Sequence, residues 1–146
     1  MSKTYVPVSL RRLVFERAQN NCEYCLNPAS LALATHQIDH IIAEKHGGKT
    51  VTENLALSCV LCNMAKGSDI ASVDPKSNEI ARFYHPRQDR WMDHFRLNAK
   101  TGQIEALTSV GRATAQLLQL NRPKSISERL LLLQVEQLVV PDSTVD

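Results

Sequence analysis

The chain has 146 residues, which suits one domain or one compact domain with an appendage. Its hydrophobic share of 43% allows a small core, and its net charge of +2 is too weak to indicate a nucleic-acid partner by itself. Residues 1–8 contain no apolar run, and no stretch approaches the roughly 20 apolar residues of a membrane helix. The sequence therefore predicts neither secretion nor a membrane partner.

The first predicted element is an amphipathic helix from Ser9 to about Asn20. Ser9 is a favourable N-cap residue. Apolar side chains then recur at helical spacing, at Leu10, Leu13, Val14 and Ala18. Three arginines lie off this stripe, where they are either solvated or close to a polyanionic partner: Arg11, Arg12 and Arg17.

All four cysteines form two C-x-x-C pairs with 33 residues between them, Cys22 with Cys25 and Cys59 with Cys62. In an intracellular chain this spacing predicts one tetrahedral site in which four thiolates bind Zn2+. Such a site has no open coordination position, so its role is structural. Two disulfides or a redox pair are the alternatives, but nothing indicates secretion and no thioredoxin-like βαβ pattern is present. Metal spacing with no cysteine left over suits a reducing cytoplasm, which is the predicted location.

Two strands and a helix are predicted between and after the cysteine pairs. Residues 28–34 form a loop or a short helical turn, and residues 35–42 form a strand. Residues 44–50 form a hairpin turn in which Gly47 and Gly48 supply positive φ values. Residues 51–57 return as the second strand, and a helix runs from Asn63 to about Ile70.

Three polar residues of this segment suit the metal-assisted hydrolysis of a phosphodiester. Asp39 offers a hard oxygen ligand of the kind that Mg2+ or Mn2+ prefers. His40 can accept a proton near neutral pH. Asn63 offers an amide oxygen directly after the last cysteine.

These residues resemble the HNH endonucleases, the ββα-metal nucleases. The resemblance covers about residues 18–70 and rests on the order and spacing of four motifs: Asp39-His40-Ile-Ile, His46-Gly47-Gly48, Asn54-Leu55 and Cys59-x-x-Cys62-Asn63-x-x-Lys66. It implies that His40 is the general base and that Asp39 and Asn63 bind a catalytic Mg2+ or Mn2+. Asn54 would brace the loop that orients His40. The two cysteine pairs match the members that carry a structural zinc, and Ile42-Ala43 departs from the many members with Pro here.

The fold class implied by pattern and resemblance is α+β. Its centre would be a small ββα-metal (HNH, His-Me finger) nuclease core with zinc knuckles. An N-terminal helix and a C-terminal hairpin plus two helices would flank this core in the sequence. We divide the chain into residues 1–72, with the N-terminal helix and the core, and residues 73–146, an extension expected to pack on the core.

Further residues are candidates for substrate contact. His36 lies on the same strand face as His40 by period-two alternation, and it either holds a phosphate or metal water or packs under the knuckle. His46 lies in the predicted turn and can approach DNA. Lys66 lies three residues after Asn63 and either faces the same phosphate or is a solvated helical lysine.

The extension opens at Asp74-Pro75 with a segment that interleaves cations and aromatic residues. Such a segment either grips a nucleic-acid backbone or forms a small core with the cations outside. We expect the aromatic residues to be core: Phe83, Trp91 and Phe95. We expect some of the arginines to reach phosphate: Arg82, Arg87, Arg90 and Arg96.

A hairpin and two helices complete the predicted elements. The hairpin pairs residues 95–97 with 104–107. Thr108 or Ser109 caps a helix to about Leu120, with one side formed by Val110, Ala113, Leu117 and Leu120. A capping box at residues 125–128 opens the last helix, which Pro141 closes. The leucine run at residues 130–133 either packs within the chain or forms a homodimer contact. The extension also resembles, more weakly, sequences that follow the nuclease unit in a group of bacterial HNH proteins.

The predicted function is that of a metal-dependent HNH endonuclease that hydrolyses phosphodiester bonds, with double-stranded DNA as the expected substrate. The expected cofactors are a structural Zn2+ and a catalytic Mg2+ or Mn2+. The alternative is a catalytically silent zinc module that binds DNA or a protein. An HNH fold that acts on RNA is a third possibility.

Overall fold

A computed structural model describes residues 5–141 of the chain. The described residues form helices and three two-stranded antiparallel sheets, so the predicted α+β class is confirmed. They divide into two compact units. The first contains the described residues up to Ile70 together with His85–Gln88, and the second contains Ala71–Tyr84 and the described residues from Asp89 onward.

The first helix, α1, spans Val8–Arg17. It begins one residue before the predicted N-cap, so that prediction is wrong: Pro7 holds the N-cap position, and Ser9 lies inside the helix. The fixed φ of proline suits a helix start, where its missing N–H is not needed. Val14 is fully buried and packs in the core of this unit with Val6 and the buried leucines of the second strand.

Strands β1, Gln37–His40, and β2, Leu55–Ser58, pair antiparallel, with His40 opposite Leu55. Both are shorter than predicted. Their connection contains two 3-10 turns, Glu44–His46 and Thr52–Asn54. Asn54 therefore ends a turn. The prediction that it lies within the second strand is wrong. A further 3-10 turn, Ala29–Leu31, confirms the short helical turn expected at residues 28–34.

The two glycines of the connection serve different purposes. Gly47 has a φ of +93°, as predicted. Gly48 lacks a positive φ, so its prediction is wrong. Position 48 requires glycine because there is no room for a side chain: a Cβ atom there would lie 1.7 Å from the carbonyl oxygen of Ile42. The chain needs glycine at this point for close backbone approach.

Helix α2 spans Val60–Lys66, so it begins three residues earlier than predicted and ends before Ile70. Cys59 is its N-cap, and the Cys59 Sγ accepts a hydrogen bond from the N–H of Cys62. The sulfur thus takes the place of the oxygen that usually caps a helix. Gly67 follows with a φ of +52° and ends the helix.

The second unit opens with a hairpin that the sequence did not predict. It pairs β3, Ala71–Val73, with β4, Ile80–Arg82. A short helix, α3, Trp91–His94, then leads into β5, Phe95–Leu97, which pairs with β6, Ile104–Ala106. The latter hairpin and the burial of the aromatic residues confirm the predictions: Phe83, Trp91 and Phe95 are buried.

Two helices follow, α4, Ser109–Leu118, and α5, Pro123–Gln134. Thr108 caps α4 as predicted. Of the predicted apolar side, Ala113 and Leu120 are buried and Val110 and Leu117 are half-buried, and Gly111, Thr114 and Leu118 are buried in addition. The predicted capping box is wrong, since α5 begins two residues before it, with Pro at the first helical position. The helix also ends at Gln134, well before Pro141. Among the described residues, no helix has the length and apolar character needed to cross a membrane.

Candidate functional site

The four cysteines converge on one point of the first unit. Their sulfur atoms all lie within 4.8 Å of one another, and those of Cys25 and Cys59 are 3.6 Å apart. A disulfide requires about 2.05 Å, and all four thiols are free. Four sulfurs bound to one Zn2+ at about 2.3 Å would be about 3.8 Å apart, so the cluster fits a tetrahedral zinc site. The predicted ligand set is therefore brought together, and two disulfides are absent among the described residues.

Each cysteine pair forms the same small loop. The N–H of Cys25 donates to the Sγ of Cys22 at 3.5 Å, and the N–H of Cys62 donates to the Sγ of Cys59 at 3.4 Å. Burial raises the pKa of Cys22, and contacts with the other sulfurs raise the pKa of Cys62. Hydrogen bonds from the other thiols lower the pKa of Cys59. A bound cation would take the place of the protons shared in this cluster.

Asp39 lies on β1 and is buried, with 5% of its surface exposed. The hydroxyl of Tyr24 donates to Asp39 Oδ2 at 2.8 Å. The ammonium of Lys66 lies 3.2 Å from Oδ2 and 3.3 Å from Oδ1. Burial raises the pKa of Asp39, and the charge of Lys66 opposes that change. Both carboxylate oxygens therefore already have a partner within the protein.

His40, the next residue of β1, is also buried. Its Nε2 lies 2.8 Å from the hydroxyl oxygen of Thr50. When Nε2 donates to this hydroxyl, Nδ1 carries the lone pair that can accept a proton. The contact fixes the ring plane of His40 relative to the connection between β1 and β2.

Asn54 ties that connection together. Its Oδ1 accepts from the N–H of Ile42 at 2.9 Å, and its Nδ2 donates to the carbonyls of Ile42 and Lys49, each at 2.9 Å. Lys49 directly precedes Thr50, the partner of His40. These contacts are the ones that a brace for the His40 loop requires.

Asn63 is the fourth of the seven residues of α2 and directly follows Cys62 of the cysteine cluster. Its Nδ2 donates to Gln37 Oε1 in a close contact. Asp39, His40 and Asn63 all line one cavity of about 590 Å³. Carboxylate and amide oxygens on one cavity fit a hard divalent cation, provided that the cation shares Asp39 with Lys66.

The predicted substrate residues differ in how far they are exposed to solvent. His36 lines the same cavity but is 2% exposed, with its Nε2 held 2.8 Å from the carbonyl oxygen of Asn27 and its buried Nδ1 without a hydrogen-bond partner among the described residues. His46 is exposed on a 3-10 turn. Lys66 is 2% exposed, so it is not a solvated helical lysine. Besides Asp39, it contacts the carbonyl oxygen of His40 at 3.2 Å.

The predicted phosphate-binding arginines are mostly paired with carboxylates. Arg87 forms a close ion pair with Glu23, which lies between the first two cysteines. In the second unit, Arg82 pairs with Asp89 at 2.7 Å and Arg96 with Glu105 at 2.8 Å. Arg90, also in the second unit, is exposed.

Sequence reasoning missed three residues that shape the site. Gln37 contacts Asn63 and lies two residues before Asp39, so strand alternation could have placed it on the face of Asp39. Thr50 carried no such indication. Tyr24 lies within the first C-x-x-C pair, and nothing in the sequence pairs its hydroxyl with Asp39.

The fold and site define an α+β unit with a four-cysteine metal-binding cluster beside a polar cavity. Residues 22–69 match a family model described as HNH endonuclease. The resemblance seen in the sequence is therefore confirmed over these residues, which include all four cysteines together with Asp39, His40 and Asn63. The family is of nuclease type. No curated protein and no solved structure gives a significant match.

Proposed function

We propose that the protein is a metal-dependent HNH endonuclease that hydrolyses phosphodiester bonds in DNA. The observation that carries this proposal is the meeting of Asp39, His40 and Asn63 on one cavity, inside the segment that matches the family. In this proposal β1, β2 and α2 form the ββα-metal core. The four-cysteine site holds zinc and keeps the start of α2 in place.

His40 accepts the proton of the attacking water through Nδ1 when Nε2 donates to Thr50. The water oxygen then forms a bond to phosphorus while the bond between phosphorus and the 3′ oxygen breaks. Asp39 and Asn63 would hold Mg2+ or Mn2+, which supplies positive charge for the phosphate and the departing oxygen. Asn54 holds the connection that carries Thr50, and so keeps His40 in orientation.

The finer points of partner and location are also proposals. Double-stranded DNA is the proposed substrate, with the exposed His46 and Arg90 as the predicted residues available to meet it. The other predicted substrate residues contribute through contacts within the protein: His36 with the Asn27 carbonyl, Lys66 with Asp39, and Arg87 with Glu23. A homodimer through α5 is supported only by Leu131, which is 64% exposed, whereas Leu132 is buried. The extension over residues 73–146 as a domain packed on the core and the cytoplasmic location stay predictions.

Cleavage of supercoiled plasmid tests the proposal. The native protein and His40→Ala are purified identically and compared with Mg2+, Mn2+ or no added metal. We expect the native protein to nick or cut the plasmid only with added metal. His40→Ala should be slower by about 10²–10⁴-fold, the usual effect of losing a general base. Zinc content and melting temperature should be the same in both proteins.

Two outcomes would contradict this function. Equal cleavage by His40→Ala would mean that the activity comes from a contaminant or from another site. A folded, zinc-loaded protein that cuts neither DNA nor single-stranded RNA with any metal would not be a nuclease.

One observation favours the alternative of a catalytically silent zinc module. The Lys66 ammonium already neutralises the Asp39 carboxylate, the proposed ligand of the catalytic metal. A silent module would bind one zinc per chain and no second divalent ion. Counting bound metal per chain in the presence of excess Mn2+ therefore separates the two functions without relying on turnover.

A further inference from the structure

We propose that Lys66 is an internal counter-cation that competes with the divalent ion for Asp39, so that the free protein binds this ion weakly and a phosphodiester strengthens its binding. This inference rests on the proposed function, because it concerns the metal assigned to Asp39 and Asn63. It adds an order of binding and a residue that controls metal affinity.

The Lys66 ammonium is fully coordinated by protein oxygens. Its nitrogen contacts three oxygens, both carboxylate oxygens of Asp39 and the main-chain carbonyl of His40, at 3.2–3.3 Å. An ammonium has three N–H donors, so this set can satisfy all of them. The Lys66 and Asp39 side chains are 3% and 5% exposed, so water screens the pair little. The Asp39 oxygens that would bind a divalent cation are thus already paired with the ammonium of Lys66.

The charge around the cavity also disfavours a divalent cation in the free protein. The charged side chains that line it are two acids, Asp39 and Glu44, and two bases, Arg11 and Lys45. Lys66 adds a further positive charge through its contact with Asp39. The group therefore carries one excess positive charge, which repels a divalent cation and attracts an anionic phosphate.

The ion pair and the positive charge together imply an order of binding. A phosphodiester that enters the cavity adds negative charge, which favours binding of the divalent cation. Its oxygens can also contact the Lys66 ammonium in place of the Asp39 carboxylate oxygens. Binding of the two ligands is then mutually favourable, and each raises the affinity for the other by the same factor.

The test measures Mn2+ binding by calorimetry, with no DNA present, to the zinc-loaded native protein, Lys66→Met and Lys66→Arg. Met retains the length of the aliphatic stem and removes the charge, whereas Arg retains the charge. We expect Lys66→Met to bind Mn2+ about 5–150-fold more tightly than the native protein, the usual range for coupled binding. Lys66→Arg should bind as weakly as the native protein. Mn2+ is a poor competitor for thiolate ligands, and zinc content after the titration verifies this.

Equal or weaker Mn2+ binding by Lys66→Met would overturn the inference. Because this variant leaves Asp39 buried without its partner, a second measurement uses the native protein alone. Mg2+ is titrated while the 15N resonance of the Lys66 ammonium is followed, and the resonance is assigned by its loss in Lys66→Arg. We expect the resonance to shift as Mg2+ binds. A resonance that stays unchanged over the whole titration would overturn the inference.

Failure of the inference and failure of the proposed function give different results. If the native protein cuts DNA in a manner that depends on metal and on His40, but Lys66→Met gains no affinity for Mn2+, only the competition is wrong. If no variant binds a divalent ion beyond zinc and the native protein cuts nothing, both are wrong.

Discussion

Asn54 uses one buried amide to hold three backbone groups of the β1–β2 connection. Asn54→Ala removes all three hydrogen bonds and leaves their partners in a half-buried region. Since each such bond contributes about 1 kcal/mol, we expect a loss of about 2–4 kcal/mol in the free energy of unfolding, measured with urea. Gln88→Ala, at an exposed position of the same unit, is the control and should change stability by less than about 0.5 kcal/mol. Equal stabilities of the two variants would contradict the bracing role.

Gly47 and Gly48 make a matched pair of neighbours. Gly47→Ala places a Cβ in open space but at a φ of +93°, so it should cost about 1–2 kcal/mol. Gly48→Ala places a Cβ 1.7 Å from the Ile42 carbonyl oxygen, which requires the backbone to move. We expect Gly48→Ala to lose more stability than Gly47→Ala in the same denaturation experiment. The reverse order would mean that the connection does not adopt the described path.

At the scale of single residues, the sequence identified residues that meet at the cysteine cluster and the cavity but not their hydrogen-bond partners. Cysteine spacing and the Asp39-His40 pair were recognisable because their residue types and order are specific. The contact of Lys66 with Asp39 was not predicted, because a lysine on a helix carries no indication of a carboxylate on a strand 27 residues earlier. Burial of such a pair depends on how β1 packs near α2, and local periodicity does not contain that information.

At the scale of elements, the β3–β4 hairpin is tied to α4 by Asp74 and Arg112, which form two contacts of 2.9 Å. Arg112 lowers the pKa of Asp74, so the folded protein holds its proton less tightly than the unfolded chain, where the value is about 3.9. The stabilisation is therefore complete above that value and is lost as the pH falls through the folded pKa.

We accordingly expect Asp74→Asn to be less stable than the native protein at pH 7, and the difference between them to shrink as the pH falls below 4. Urea midpoints measured across this range provide the test. Glu79→Gln, an exposed acid of the same hairpin, is the control and should remain close to the native protein at each pH. A difference for Asp74→Asn that stays constant with pH would argue against the ion pair.

The elements themselves were predicted unevenly, for physical reasons. The β5–β6 hairpin was found because its apolar strands flank a turn with Gly102, which has a φ of +79°. The β3–β4 hairpin was missed because its three-residue strands flank a turn without glycine, in which Asn78 takes the positive φ of +63°. Helix starts were misplaced where an unusual residue begins the helix: Pro7 and Cys59 are the N-caps of α1 and α2, and Pro123 is the first residue of α5.

At the scale of the whole molecule, zinc is expected to contribute folding free energy to the first unit, because its four ligands join distant parts of that unit. Cys59→Ser should abolish amide-exchange protection in the described residues up to Ile70. Trp91, the single tryptophan, is fully buried in the second unit, which contributes no cysteine, so its emission should remain unchanged. Restoring protection in the native protein by adding Zn2+ after chelation is the matched control. Unchanged protection in Cys59→Ser would refute the structural role.

The fold class and the centre of the first unit could be predicted from the sequence, because cysteine spacing and motif order constrain that unit at several points. The second unit offered fewer constraints. Its turns and short strands depend on side-chain contacts such as Asp74 with Arg112, which join residues 38 positions apart. Local propensity therefore gave some of its elements without their correct limits.

Helix α2 has only seven residues, too few to be stable alone, so its rotation about its own axis is set by the cysteines at its start. Each residue of an α-helix turns the next side chain by about 100°. Cys62 and Asn63 are consecutive, so their side chains point in different directions. Cys62 belongs to the cysteine cluster, and Asn63 lines the polar cavity. One residue inserted after Cys62 would leave the sulfurs in place. It would rotate Asn63 away from Gln37 and Lys66 away from Asp39. Between Cys59 and Lys66 the chain therefore has a fixed angular register, in which substitutions are easier to accommodate than changes of length.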